Sequence, residues 1–212
     1  MKYIIVLVCA CLIQACGSIR ITHQWKAESN SLPTTYNKVL VLGLIPEKDR
    51  RLQEFMEDHV AGDLTDLGYS ATTSLHEFGP KAFEGMDEKT ALAKLQNSGI
   101  DAVITIVLLN KTRENRYVPA PVYPSYNSVY NFWEYRTSIY NRIIDPGYYV
   151  ASTQYFWESS FFRMRPQQLL YSIQTKSFDP TTSWSMGHEY GHIITSAMLR
   201  GKILSNQSGS RE

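Results

Sequence analysis

Apolar residues in this chain change period several times, and each change marks an element. Positions 38–45 (Lys38-Val39-Leu40-Val41-Leu42-Gly43-Leu44-Ile45) form a continuous apolar run of strand length, ended by Pro46, which predicts a buried central strand. Leu52, Phe55, Met56, Val60, Leu64 and Leu67 then recur at helical spacing between Asp49, a good N-cap residue, and Gly68. Residues 69–75 read as a second strand. Asp87 is placed to cap a second helix carrying Ala91, Leu92 and Leu95 and closed by Gly99, and residues 102–109 form another apolar run. Strand, helix, strand, helix, strand in this order implies parallel pairing with helical crossovers.

Beyond residue 112 the pattern breaks. Residues 113–149 hold Pro119, Pro121, Pro124 and Pro146 and more than half of the chain's 14 tyrosines. So many prolines argue against a core strand and predict a long projecting loop. Residues 150–164 and 168–178 alternate in places and read as an antiparallel pair turning at Arg165-Pro166. A last helix is expected from about Ser185 to Arg200, stopping at Gly201. The expectation is an α/β fold with a mixed sheet of about five strands: βαβαβ, an antiparallel ββ pair, then a C-terminal helix. Its helices lie largely on one face. Residues 37–204 form the domain, 16–36 an anchor and linker, and 205–212 a disordered tail.

The first residues follow none of these periods. Lys2 precedes an apolar run of about eleven residues, too short for a membrane helix, which needs on the order of 20. The run leads into Leu12-Ile13-Gln14-Ala15-Cys16-Gly17-Ser18. This segment resembles the lipobox of bacterial lipoproteins, in which the cysteine becomes acylated after cleavage. It implies a signal peptide at 1–15 and palmitate-type lipidation of Cys16, anchoring the mature chain to a membrane. Gly17 after the cysteine resembles lipoproteins sorted to the outer membrane rather than the inner.

Composition narrows the function classes. Net charge is +1 with no basic block, so nucleic-acid binding has no electrostatic footprint. All three cysteines (Cys9, Cys11, Cys16) fall in the first 16 residues. The exported domain therefore holds together without disulfides.

Several features in series resemble a group of bacterial envelope lipoproteins. These are Trp25-Lys26, the run at 38–44, Arg50-Arg51 with Glu54 and Glu57, Gly99-Ile100-Asp101-Ala102-Val103, Tyr117-Val118-Pro119, and Phe178-Asp179-Pro180. The arrangement is similar to the small α/β domain of curli-secretion lipoproteins and to the amino-terminal domain of the Tol-system propeller protein. The resemblance implies a structural or partner-binding role in the periplasm at the cell envelope, with an envelope protein as partner and no catalytic residues to carry over.

Two candidate sites emerge. Tyrosine offers large contact area at low entropic cost, so Tyr117, Tyr123, Tyr126, Tyr130, Trp133, Tyr135 and Tyr140 are candidate partner contacts, unless their rings fold back onto the sheet. The alternative is chemical: His188-Glu189-Tyr190-Gly191-His192 matches H-E-x-x-H, which on a helix lets two imidazoles share a zinc while the glutamate polarises bound water. A zinc peptidase would thus use His188 and His192 as ligands and Glu189 as base. Against it, the chain has Thr195 and Met198 where a third ligand motif would place Gly and His. The helical wheel also puts His188 and His192 opposite Met186, Tyr190, Ile193, Ile194 and Ala197, on a solvent face. The expectation is no cofactor and no catalysis. Glu54 and Glu57, with Arg50 and Arg51, are expected to form a solvated helical face.

Overall fold

A computed structural model describes residues 19–28, 35–81, 83–118 and 148–208. Within them, one sheet contains β1 (Ile19–Lys26), β2 (Val39–Leu44), β3 (Ala71–Thr73), β4 (Ala102–Val118), β5 (Tyr148–Met164) and β6 (Gln167–Phe178). The helices are α1 (Arg50–Asp66), α2 (Ser74–Phe78), α3 (Glu88–Asn97) and α4 (Ser183–Arg200). Spatial order is β1-β6-β5-β4-β2-β3. Strand β2 runs parallel to β3 and β4, and every other pairing is antiparallel.

The mixed α/β class holds, while the strand number and order differ from expectation. Strand β1 lies within the stretch expected to be a linker, pairing with β6 from Ile19↔Ser177 to Lys26↔Tyr171. Its sequence hides it, because only Ile19 is buried and the register slips between Ile21 and His23, so no clean alternation survives.

The helices also occupy both faces rather than one. Since β3 and β4 flank β2 on opposite sides, right-handed crossovers must carry α1 over one face and α3 over the other. Val39, Val41, Ala102, Ile104 and Ile106 accordingly face a core shared with Met56 and Leu64 of α1 and Tyr190 and Ile194 of α4. Leu40 and Val103 face the other way, onto Leu95 of α3. Trp157 is fully buried in the larger core and donates through Nε1 to Ser177 Oγ at 3.3 Å.

Capping follows the expected residues in part. Asp87 accepts Thr90 N–H at 2.7 Å and starts α3, and Thr182 caps α4 reciprocally with Ser185. Asp49 makes no side-chain cap on α1, and its carboxylate instead meets Lys111 Nζ at 3.2 Å. The start of the tail is docked rather than free: Gln207 N–H donates to Leu67 O at 2.8 Å and Ser205 N–H to the Tyr69 hydroxyl at 2.9 Å.

Candidate functional site

The segment expected to be a loop begins as sheet. Strand β4 continues to Val118 and pairs with β5 down to Val118↔Tyr148. Its other neighbour, β2, stops at Val107, and β6 reaches β5 only as far as Gln154↔Phe178. Beyond that row, among the described residues, β4 and β5 continue as a two-stranded ribbon, 113–118 against 148–153.

A bulge between Leu108 and Asn110 exchanges the faces of β4. Lys111, Arg113 and Tyr117 thereby share the face of Tyr155 and Tyr149, while Val118, Tyr148 and Val150 follow the opposite one, by the alternation of the pairing. The far end is aromatic and open to solvent: Tyr117 is 51% exposed, Tyr148 59% and Tyr149 72%. The Tyr117 and Tyr149 rings pack 5.2 Å apart.

Of the tyrosines singled out in the sequence, Tyr117 is the one the structure describes. Tyr123, Tyr126, Tyr130, Trp133, Tyr135 and Tyr140 lie outside the described residues, as does Cys16. Tyr148 and Tyr149 were missed as candidates because they directly follow Pro146-Gly147 at the end of the presumed loop. Adjacent Tyr-Tyr-Val ahead of an alternating strand was the available signal.

The H-E-x-x-H segment sits mid-helix in α4, against α1. His188 and His192 are exposed, and Glu189 is half-buried. His188 stacks on Trp184 with ring centroids 5.4 Å apart, and His59 of α1 meets both rings edge-on, at 5.3 and 5.4 Å. Burial, and then the neighbouring His188, push the His59 pKa below the usual imidazole value, and burial holds Asp63 above the usual carboxylate value. Among the described residues, no three His, Cys, Asp or Glu side chains converge on a point able to hold a metal ion.

What the pentapeptide does visibly is pack. A Cβ on Gly187 would lie 2.7 Å from Phe55 O, and one on Gly191 2.8 Å from Asp63 Oδ2. Between them Tyr190 is wholly buried, sharing a 2.8 Å hydrogen bond with Ser159. Glycines four apart let α4 close onto α1, and the flanking histidines are carried to the rim.

A third feature contradicts the expectation of a solvated helical face at Glu57. Its carboxylate is fully buried and accepts from Gly43 N–H (2.8 Å), Gln53 Nε2 (2.7 Å), Ser74 Oγ (2.7 Å) and Leu75 N–H (3.1 Å). Glu54, by contrast, is exposed. The Glu57 network underlies a cleft of about 660 Å³ at the carboxyl ends of β2 and β3, lined by Leu44, Ile45, Arg50, Gln53, Ser74 and Phe83 among others. Through these bonds Glu57 ties α1 to β2, at Gly43, and to the start of α2, at Ser74 and Leu75.

No family model matches this chain, and no curated protein does. Among solved structures, the PelC dodecamer from Paraburkholderia phytofirmans is 11% identical, with a TM-score of 0.44 over 84% of this chain and 95% of that one. Lipoprotein GNA1162 from Neisseria meningitidis is 13% identical, with a TM-score of 0.40 over 78% of this chain and 97% of that one. At such values these likenesses carry no functional assignment. No described helix is long and apolar enough to cross a membrane.

Proposed function

We propose that this chain is a lipid-anchored bacterial envelope protein that works by contact rather than by catalysis, tethered through Cys16 and presenting the β4–β5 ribbon as its contact surface. The observation that carries this reading is the ribbon's far end. There Tyr117, Tyr148 and Tyr149 stand at 51–72% exposure on strands that, among the described residues, no third strand flanks. Holding such rings in water has no benefit for folding, and exposed aromatic patches mark interaction surfaces. The resemblance to curli-secretion lipoproteins and to the Tol-system propeller's amino-terminal domain agrees with an assembly role beside an envelope protein partner. The lipobox-like segment ending at Cys16 supplies the address, with Gly17 favouring the outer membrane.

Labelling growing cells with radioactive palmitate tests the tether. The wild-type protein is expected to take up label and sediment with membranes, and Cys16→Ala to do neither. Equal membrane association of the two proteins would defeat the reading.

A further inference from the structure

The same register that defines the ribbon fixes where the anchor leaves the fold. Ile19 pairs with Ser177, Ser177 with Tyr155, and Tyr155 with Lys111, so these four residues form one row across β1, β6, β5 and β4. Strand β1 runs antiparallel to β6, and β6 antiparallel to β5. The chain preceding Ile19 therefore leaves the sheet at the end from which the ribbon projects. Two strand spacings separate β1 from β5, about 10 Å laterally.

The reach of each element can now be compared. Three residue steps separate Cys16 from Ile19, which spans at most about 10 Å even when fully extended. Along β4 the ribbon continues from Lys111 to Val118, seven steps of about 3.3 Å, or about 23 Å beyond the same row. Along the strand direction the ribbon therefore extends about 13 Å past the furthest point Cys16 can reach. With the strands standing across the plane of the bilayer, a membrane that holds the acyl chains lies no farther out than the Val118–Tyr148 row, and so meets the ribbon.

Its chemistry suits that position. Tyrosine rings with polar tips favour the headgroup layer of a bilayer. The exposed Arg113 lies on the face shared by Tyr117 and Tyr149, four residues nearer the domain, at the height of anionic headgroups.

We propose that the ribbon shoulder formed by Tyr117, Tyr148, Tyr149 and Val150 rests in the interfacial layer of the same bilayer that holds the Cys16 lipid. The inference depends on the tether proposed above and names the surface the ribbon meets. The domain is thus held at two points, one covalent and one amphipathic, which fixes its orientation on the membrane.

Acylation blocks Cys16, so a cysteine introduced elsewhere in the mature chain is the sole free thiol. Acylated protein carrying an environment-sensitive dye at Tyr149→Cys is reconstituted into phosphatidylethanolamine–phosphatidylglycerol vesicles with brominated acyl chains. A second sample carries the dye at Gln167→Cys, an exposed site at the start of β6, beside the β5–β6 turn, at the opposite end of the sheet. The dye at 149 should shift to the blue and lose most of its intensity to the brominated chains, while the dye at 167 stays water-like. Failure of the acylated protein to float with vesicles would refute the tether, and the inference with it. Flotation with a water-like, unquenched signal at 149 would overturn the inference alone. So would a blue shift that appears only in native envelope membranes without lipid quenching, which would assign the ribbon to a protein partner.

Discussion

The Glu57 carboxylate accepts the backbone N–H of Gly43 at 2.8 Å, wholly out of water. Gly43 must lack a side chain for this approach, because a Cβ there would stand 2.6 Å from Gln53 Cγ and 2.9 Å from the carboxylate. Glu57→Ala removes the acceptor shared by Gly43, Gln53, Ser74 and Leu75 and leaves buried donors unpaired. The expected cost is about 3–5 kcal/mol, read from urea unfolding midpoints. A loss under about 1 kcal/mol would contradict the clamp.

The helix contact at the H-E-x-x-H segment is set by Gly191 within it and Gly187 just before it. Gly187→Ala drives a methyl toward the Phe55 carbonyl, a backbone atom with little room to move. It is expected to destabilise by about 1–3 kcal/mol in thermal unfolding. Gly62→Ala is the matched control, since an added Cβ on that α1 residue meets nothing within 4 Å. It should stabilise by up to about 1 kcal/mol. Equal effects at the two glycines would refute close packing.

Acid should loosen the α1–α4 rim through His59. Its pKa is lowered by burial and by His188, so the unfolded chain binds the proton first and stability falls as pH drops below about 6.5. Asp63 opposes this at lower pH: its raised pKa means the folded form takes up a proton earlier, and stability is regained as that carboxyl neutralises. His59→Gln should therefore show a smaller drop in melting temperature between pH 7 and 5.5 than wild type. Parallel pH profiles would remove His59 from the account.

Metal analysis separates contact from catalysis at His188 and His192. Purified, dialysed protein is expected to carry well under one zinc per chain, and Glu189→Gln to leave membrane binding unchanged. One tightly held zinc, with peptide hydrolysis that disappears in Glu189→Gln, would establish the peptidase reading instead.

How much was legible in the sequence depended on whether period alone carried the information. The runs around Val41 and Ile104 and the helical spacing from Leu52 to Leu64 gave the parallel core directly. Strand β1 escaped because one buried isoleucine and a bulge leave no period-2 signal. Glu57 escaped because a buried, fully paired carboxylate and a solvated one are the same letter, and only the fold brings Gly43, Ser74 and Leu75 to it. Within His188–His192 the metal-like spacing drew the eye to the polar residues. The packing information lay in Gly187, Tyr190 and Gly191, whose role needs α1 to be seen. Prolines from Pro119 onward suggested a loop starting at residue 113, yet six residues before them, with none of their own, could extend β4.

The shared end of anchor and ribbon is most directly tested by electron spin distances in the soluble domain lacking residues 1–16, which has no native cysteine. Spin labels at Tyr149→Cys and Arg20→Cys should lie about 25 Å apart, and at Tyr149→Cys and Lys26→Cys about 40 Å, from residue rise and strand spacing. Distances in the reverse order would put the tether and the tyrosines at opposite ends of the sheet and contradict the account.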